Sequence, residues 1–222
     1  MKVLTQAQLN KWLHSLSQEL DLIAPVQIDD KLVYRKLEPG DSPAERIAWG
    51  FERTAMSPKT WLFPATEPIL TVDQGTETTL HTAALPAPKV VFGVRPCDAR
   101  GALAIDALFL NKDPADGQYA RHRQATTLVG LACPQMWETC FCTAVGGAPN
   151  STEGLDILLT EFKGASAAEP GHPSEYAAQD HPIMWAFMEN RQQVWGEPVR
   201  ASAALSAAGQ TSAPTPRASP TR

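Results

Sequence analysis

The chain has 222 residues, 43% of them hydrophobic, a formal net charge of −5 and an isoelectric point near 5.5. This composition is sufficient to bury the core of one large domain or two small ones, and the acidic balance, without any run of Lys or Arg, argues against nucleic acid as a partner. The N-terminus lacks the apolar region of a secretory signal, and no apolar run reaches the length of about 18 residues that a membrane span needs. We therefore expect a cytoplasmic protein with no membrane partner.

The N-terminal region predicts one helix followed by a hairpin. Thr5 and Gln8 have the spacing of a capping box, and apolar residues then recur at helical spacing, which predicts an amphipathic helix over 5–21. Two apolar runs, LIAPVQI and KLVYRKL, flank Asp29 and Asp30 and predict two strands joined by a tight polar turn. The next apolar stretch, SPKTWLFPATEPIL, contains several prolines and indicates irregular chain packed on a core.

Residues 86–162 have the pattern of a small parallel sheet. Three continuous apolar runs, KVVFGV, TTLVGLAC and LDILLTEF, are typical of strands buried on both faces, and ARGALAIDALFL is typical of a helix. Strands that alternate with helix or loop at this interval predict parallel pairing. The predicted fold class is α/β, with an N-terminal helix and hairpin followed by a small, mostly parallel sheet with flanking helices.

The C-terminal quarter of the chain differs from the rest in composition. After Lys163 it is dominated by Ala, Ser, Pro, Gly and Gln, apart from one island, HPIMWAFMENRQQVW, that predicts a helix over 181–195. Residues 201–222 contain no aromatic and no acidic residue, so we expect them to be disordered. The expected organisation is a domain over 1–162, with sub-regions 1–57 and 58–162, and a low-complexity tail over 163–222.

Few residues outside the cysteines suggest chemistry. His122 lies between two arginines in YARHRQ and could face an anionic group, but the preferred interpretation is a solvated basic loop. Asp106 is interpreted as a surface or capping residue. The patterns GxGxxG, GxxxxGK[ST], GxSxG and HExxH do not occur. The sequence therefore gives no support for a nucleotide fingerprint, a serine nucleophile or a zinc-protease helix.

All four cysteines lie between positions 97 and 142. In a reducing cytoplasm such thiols indicate metal ligands or redox groups rather than disulfides. Cys97 and Cys133 each follow a predicted buried strand, so in a parallel sheet both would lie at the carboxyl edge, where open α/β sheets bind their ligands. Cys140 and Cys142 are two positions apart, which in extended chain points both sulfur atoms to one side.

The surroundings of Cys97 are expected to favour its thiolate form. Asp98 is expected to be the N-cap of the helix that follows. A thiol at a helix N-terminus has its thiolate stabilised by the helix dipole, and Arg95 and Arg100 would add to this effect.

Several sites are compatible with four such thiols. Four converging thiolates suit tetrahedral Zn²⁺ or a four-cysteine iron–sulfur cluster, and the spacing C-x6-C-x-C matches neither the zinc knuckle nor the bacterial ferredoxin ladder. Inert, buried cysteines and a thiol redox enzyme that uses Cys140 and Cys142 are further interpretations. In each liganded case Gly146 and Gly147 would let the backbone turn closely past whatever the sulfur atoms hold.

The quoted segments resemble a known family. SPKTWLFPATEPIL, GVRPCDARGALAIDALF, GLACPQMWETCFCTAVGG and GLDILLTE are similar to the β subunit of soluble sulfhydrogenases and to the A subunit of anaerobic sulfite reductase, over roughly residues 1–162. The resemblance implies a cytoplasmic iron–sulfur protein. It would pass electrons between a flavin- or NAD(P)-binding partner subunit and a catalytic hydrogenase or reductase subunit.

The resemblance ends before the segment in which the family carries two further clusters. Family members continue into a ferredoxin-like region with two CxxCxxCxxxCP runs that hold two [4Fe-4S] clusters, whereas this chain has no cysteine after Cys142. The tail from about Lys163 is therefore expected to be unrelated to the family, as in a truncated or frame-shifted product.

Any cluster in this chain would need all four of its cysteines. We predict one [4Fe-4S] cluster, with Arg95 and Arg100 offsetting its negative charge. The predicted ligands are Cys97, Cys133, Cys140 and Cys142. The alternative is a non-catalytic docking module in which the same thiols bind zinc or nothing, and the Pro-rich stretch contacts a partner oxidoreductase subunit.

Overall fold

The computed structural model describes residues 2–49, 54–163 and 183–189. A short strand, β1 (Lys2–Thr5), leads into helix α1 (Gln6–Glu19). The N–H of Gln8 donates to Thr5 Oγ1 at 3.2 Å, and the N–H of Thr5 donates to Gln8 Oε1 at 2.9 Å. This reciprocal capping box starts the helix, which buries one apolar face and confirms the helix predicted over 5–21.

Strands β2 (Asp21–Ile28) and β3 (Lys31–Lys36) form the predicted hairpin. Asp29 in the turn adopts a φ of 52°, a left-handed conformation that Asp tolerates better than most residues. The two-residue polar turn thus sets the antiparallel register of these strands.

The connector that follows contains short elements and a second hairpin. Helix α2 (Pro43–Arg46) is a single turn, and a 3₁₀ turn covers Pro58–Trp61 in the stretch predicted to be irregular. Strands β4 (Leu70–Gln74) and β5 (Thr78–Thr82) then pair antiparallel in a separate two-stranded sheet that the sequence did not predict.

The remaining elements build the main sheet and its helices. In chain order they are β6 (Lys89–Val94), α3 (Pro96–Phe109), α4 (Gly117–Gln124), β7 (Thr126–Leu131), β8 (Ile157–Lys163) and β9 (Ile183–Glu189). Among the described residues the strand order is β1-β9-β8-β7-β6-β2-β3. The pairs β2–β6, β6–β7 and β7–β8 are parallel, and the outer pairs are antiparallel. Five of these seven strands, all except β3 and β9, therefore run in one direction, which confirms the α/β fold with a mostly parallel sheet.

Each face of the sheet packs on a helix. Val90 and Phe92 point to the face covered by α1, whereas Val91 points to the opposite face, where it packs with Ala99 and Ala102 of α3. Alternate residues of β6 thus serve two apolar layers, as expected for a strand buried on both sides. Because α3 begins directly after β6, its first turn lies at the carboxyl edge of the sheet.

The helix predicted over 181–195 is wrong for residues 183–189, which form strand β9. This strand pairs with β8 on one side and with β1 on the other. Its run of apolar residues, IMWAFM, is compatible with either an inner strand or a buried helix, and the two neighbouring strands select the extended form. The rest of that predicted helix and the tail expected to be disordered over 201–222 lie outside the described residues. The division of the chain at residue 162 stays a prediction.

A buried polar network joins α3 to α4. The hydroxyl of Tyr119 donates to Asp106 Oδ1 at 2.5 Å, and Arg123 Nε donates to both carboxylate oxygens of Asp106 at 3.2 Å. The side chains of Asp106 and Arg123 are 7% and 2% exposed. The interpretation of Asp106 as a surface or capping residue is therefore wrong, because its partners on α4 allow a carboxylate to be buried.

The basic stretch YARHRQ lies on α4 and not in a loop. Asp116 caps this helix by accepting a hydrogen bond from the N–H of Tyr119 at 2.8 Å. His122 on the same helix contacts Glu67 of the connector, with Nε2 and Oε2 2.6 Å apart. The interpretation of His122 as part of a solvated loop is wrong, since the residue ties the connector to the sheet.

Candidate functional site

A cleft of about 910 Å³ lies at the carboxyl edge of the sheet, and all four cysteines line it. Cys97 comes from the first turn of α3, Cys133 from the chain just after β7, and Cys140 and Cys142 from the loop that follows. Strands β6 and β7 are parallel neighbours, so their carboxyl ends bring Cys97 and Cys133 to the same place. Cysteines separated by up to 45 positions in the sequence thereby line one cavity.

The first turn of α3 starts earlier than the sequence indicated. Arg95 is the N-cap, Pro96 is the first helical residue, and Cys97 and Asp98 follow inside the helix. Proline is favoured at this first position because its fixed φ suits the helix. An N–H at this position would have no partner within the helix, so its absence in proline costs nothing. The assignment of Asp98 as the N-cap is therefore wrong. Asp98 instead accepts a hydrogen bond from the hydroxyl of Ser57 at 3.1 Å.

Cys97 is not the activated thiol that its position predicts. Burial around the sulfur raises its pKa, and the nearby Asp98 carboxylate and Cys133 raise it further. Burial also raises the pKa of Asp98. Backbone N–H groups of Cys97 and Asp98 in the first turn lower the pKa, as expected of a helix terminus, but burial and the adjacent acid outweigh them, so the net shift is opposite to the one expected.

Cys133 interacts electrostatically with each of the other three cysteines. Burial raises its pKa, whereas the Arg95 guanidinium, which hydrogen-bonds to the thiol, opposes this increase. Cys140 and Cys142 raise the pKa of Cys133 as well, since each would add negative charge nearby. Together with the effect of Cys133 on Cys97, these interactions connect all four thiols electrostatically. The arrangement therefore favours a positively charged ligand that the thiolates can share.

Trp137 connects the cysteine loop to the sheet. Its backbone N–H donates to Cys140 Sγ at 3.3 Å, and the backbone N–H of Cys140 donates to the Trp137 carbonyl at 2.9 Å. The Arg95 guanidinium lies over the indole ring, 5.6 Å from its centroid. Arg95 thus reaches two parts of the loop, one through the thiol of Cys133 and one through an aromatic face.

Arg100 points a buried donor toward the same loop. Its Nη1 atom is buried and has no hydrogen-bond partner within the described parts of the chain, while its Nε lies 3.7 Å from Glu153 Oε2. A Cβ atom on Gly147 would lie 3.2 Å from Arg100 Nη1 and 3.1 Å from the carbonyl oxygen of Cys142. A side chain at position 147 would therefore require these neighbours to move by a few tenths of an ångström, and the preceding Gly146 turns the chain with a φ of 75°.

The cleft combines two features that a bound group could use, a set of four thiols and a buried guanidinium N–H. A buried guanidinium N–H without a partner requires an acceptor, and four thiols are the ligand set of an iron–sulfur cluster. Within residues 2–49, 54–163 and 183–189, no group of three His, Cys, Asp or Glu side chains is arranged to hold a metal ion. The thiols share the cleft without forming the close tetrahedral set that zinc needs.

Sequence reasoning missed two residues of the cleft. Ser57 reaches Asp98 across 41 positions, and no local pattern predicts such a contact. Trp137 stands within the cysteine segment, but its donor role depends on the turn between Trp137 and Cys140 and could be inferred only from backbone geometry.

Comparison with known proteins gives one partial similarity. The chain is 30% identical over 111 residues to sulfhydrogenase 2 subunit beta of Pyrococcus furiosus. The matched segment covers 50% of this chain and 31% of that relative, so the chain spans about a third of the length of the protein it matches. No protein-family model matches the chain, and no solved structure matches it significantly. The similarity supports the resemblance to sulfhydrogenase β subunits, while the similarity to sulfite reductase and the expected truncation stay predictions.

A helix that spans a membrane needs sufficient length and apolar character. Across the described ranges, each helix is too short or too polar to cross a lipid bilayer.

Proposed function

We propose that this chain is an iron–sulfur electron-transfer subunit of an oxidoreductase complex such as a sulfhydrogenase or an anaerobic sulfite reductase. In this proposal one [4Fe-4S] cluster occupies the cleft at the carboxyl edge of the sheet. The observation that carries the proposal is the meeting of all four cysteines of the chain in one cavity. The ligands would be Cys97, Cys133, Cys140 and Cys142.

In this proposal the size of the cleft supports a cluster over a single zinc ion. A Zn–S bond of about 2.3 Å places the four sulfur atoms of a tetrahedral zinc site within about 4 Å of one another. The thiols here line a cleft of about 910 Å³. A polynuclear cluster is larger than one ion and can be held from the walls of such a cavity, so the docking module with zinc is the less favoured function.

The chain itself would hold and tune the group. When bound, an iron–sulfur cluster supplies one-electron transfer, with a potential set by net charge, hydrogen bonds to sulfur and solvent exposure. Arg95 beside Cys133 and the unpartnered Nη1 of Arg100 would offset the negative charge of the thiolates. The Trp137 N–H on Cys140 Sγ would act in the same direction. All three interactions favour the reduced, more negative state and raise the potential.

The partners in this proposal are a flavin- or NAD(P)-binding subunit and a catalytic hydrogenase or reductase subunit. Their support is the similarity to a protein named as a sulfhydrogenase subunit. The described cleft opens to solvent beside Met136 and Phe141, which are 81% and 68% exposed. In this proposal electrons enter or leave the cluster through this open side of the cleft.

Anaerobic reconstitution with iron and sulfide tests the proposal. We expect visible charge-transfer absorption that bleaches on reduction and a paramagnetic signal in the reduced protein. Cys133→Ser should lose most of this absorption, because a hard alkoxide replaces thiolate poorly on iron. Thr143→Ser, at another residue lining the cleft, is the matched control and should retain it. A colourless wild-type protein that takes up one zinc per chain would support the docking module instead.

A further inference from the structure

The second hairpin of the chain is exposed over its whole length. Strands β4 and β5 pair with each other, and in the described structure neither belongs to the main sheet. All ten of their residues are exposed. The hairpin lies between the connector and β6, outside the cleft and its four cysteines.

The two faces of this hairpin differ in chemistry. Val72 lies directly opposite Leu80, and Leu70 lies on the same face two residues earlier. The other face carries Thr71, Asp73, Thr79 and His81, with His81 Nε2 3.2 Å from Asp73 Oδ2. The apolar face is formed by Leu70, Val72 and Leu80, which are 48%, 45% and 64% exposed.

An uncovered hairpin of this composition is poorly protected. A two-stranded hairpin is marginally stable in water unless a further strand or element packs on its apolar face. Lys or Pro in native edge strands usually prevents pairing with a strand of another chain, and neither residue occurs in β4 or β5. The flanking Ile69 and Leu85 are 65% and 75% exposed as well. These features are typical of a surface that is covered in an assembly.

The charge of the segment indicates what covers it. From residue 60 to residue 88 the chain contains Glu67, Asp73 and Glu77 and no Lys or Arg. Two copies of this acidic segment would repel each other, and the whole chain is acidic as well. A partner with positive charge around its apolar contact would instead be attracted.

We propose that the β4–β5 hairpin is a docking surface for a different polypeptide, one that presents an apolar strip bordered by Lys or Arg side chains. The strip covers Leu70, Val72 and Leu80, and its basic rim faces Glu77 at the turn of the hairpin. This inference does not rest on the cluster in the cleft, since none of these residues lines the cleft.

Site-directed photo-crosslinking of the full chain in its native host tests the surface. The probe is a benzophenone amino acid at position 72. We expect cross-links to a second polypeptide at a site where apolar residues are flanked by Lys or Arg. Mapping the cross-linked peptide is essential, because its composition and not the capture itself decides the outcome.

Matched variants test which face makes the contact. Leu80→Glu places a charge on the apolar face and should lower the cross-link yield at least about tenfold. Thr71→Glu places the same charge on the opposite face and should leave the yield within about twofold. Glu77→Gln should lower it by about two- to fivefold, as a rim charge does. Both Glu variants substitute exposed residues, and an unchanged thermal midpoint will show that the fold is intact.

Three results would overturn the proposal. A cross-link to a second copy of this chain would make the hairpin a homomeric contact. A cross-link to another segment of the same chain would make it an internal packing surface. Absence of any cross-link at position 72, with the probe incorporated and photoactive, would show that the apolar face stays open to solvent.

Discussion

The two edges of the main sheet handle polar groups in opposite ways. At the amino edge, Asp106, Tyr119 and Arg123 are buried and satisfy one another. At the carboxyl edge, free thiols line an open cleft, and Arg100 Nη1 has no partner among the described residues. Both edges belong to the same layers of strands and helices. The satisfied groups of the amino edge thus contribute to the stability of the fold, whereas the carboxyl edge is available for a ligand.

The largest expected effect on stability comes from removing Asp106, the acid of the amino-edge network. Asp106→Ala should lower the free energy of unfolding by roughly 3–5 kcal/mol, because it leaves the buried Arg123 charge without its counterion. Urea unfolding monitored by tryptophan fluorescence measures this loss. Tyr119→Phe removes one hydrogen bond from the network and keeps the ring, so it should cost about 1–2 kcal/mol. A loss below about 1 kcal/mol for Asp106→Ala would show that the network contributes little to the fold.

A second prediction concerns the buried acid at the start of β8. Asp156 Oδ2 accepts a hydrogen bond from the Leu128 N–H at 2.8 Å, yet burial raises the pKa of Asp156 above its ordinary value. The unfolded chain therefore loses this proton at lower pH than the native state does. Its contribution to stability is complete below the unfolded pKa and falls as pH rises through the folded pKa.

Asp156→Asn removes this titration and keeps an acceptor for the Leu128 N–H. The free energy of unfolding of the variant, relative to the wild type, should therefore increase between pH 3 and pH 7. Chemical denaturation across that range measures the change, with Glu19→Gln as a control for removing one negative charge from an exposed position. A relative stability that stays flat, or that decreases with pH, would contradict the assigned direction of the shift.

The smallest expected effect on stability is at the carboxyl edge. Cys140→Ser changes an exposed thiol, so the metal-free protein should keep its free energy of unfolding within about 0.5 kcal/mol. The same denaturation experiment under reducing, chelating conditions provides the value. A loss above about 2 kcal/mol would mean that the cysteine loop supports the fold as strongly as the amino edge does.

The sequence was most informative where local chemistry decides structure. The pair Thr5 and Gln8 located the start of α1, and Asp29 with Asp30 located the β2–β3 turn. The continuous apolar runs of β6, β7 and β8 predicted the parallel sheet that these strands form. In each case the residues that specify the element lie within it or next to it.

Failures occurred where distant contacts decide. Strand β9 is extended because β8 and β1 lie on either side of it, although its own residues are equally compatible with a helix. Asp106 is buried because Tyr119 and Arg123 reach it from the next helix. The local sequence around β9 or around Asp106 does not reveal these distant partners.

The candidate site shows the same division. The order of strands predicted that Cys97 and Cys133 would share an edge, and the structure places both in one cleft. The net effect on the Cys97 pKa could not be predicted, because the burial of the sulfur depends on the folded loop and the influence of Asp98 on its position inside the helix. The assignment of the four thiols as cluster ligands stays a prediction.

The central claim is that these four thiols hold one iron–sulfur cluster, and counting metal and sulfide in the same sample tests it most directly. The full chain is purified anaerobically, and iron, zinc and acid-labile sulfide are measured per polypeptide. Our account predicts about four iron and about four sulfide per chain, with zinc near zero. One zinc per chain with no sulfide, or neither metal in protein that is folded and reduced, would contradict it.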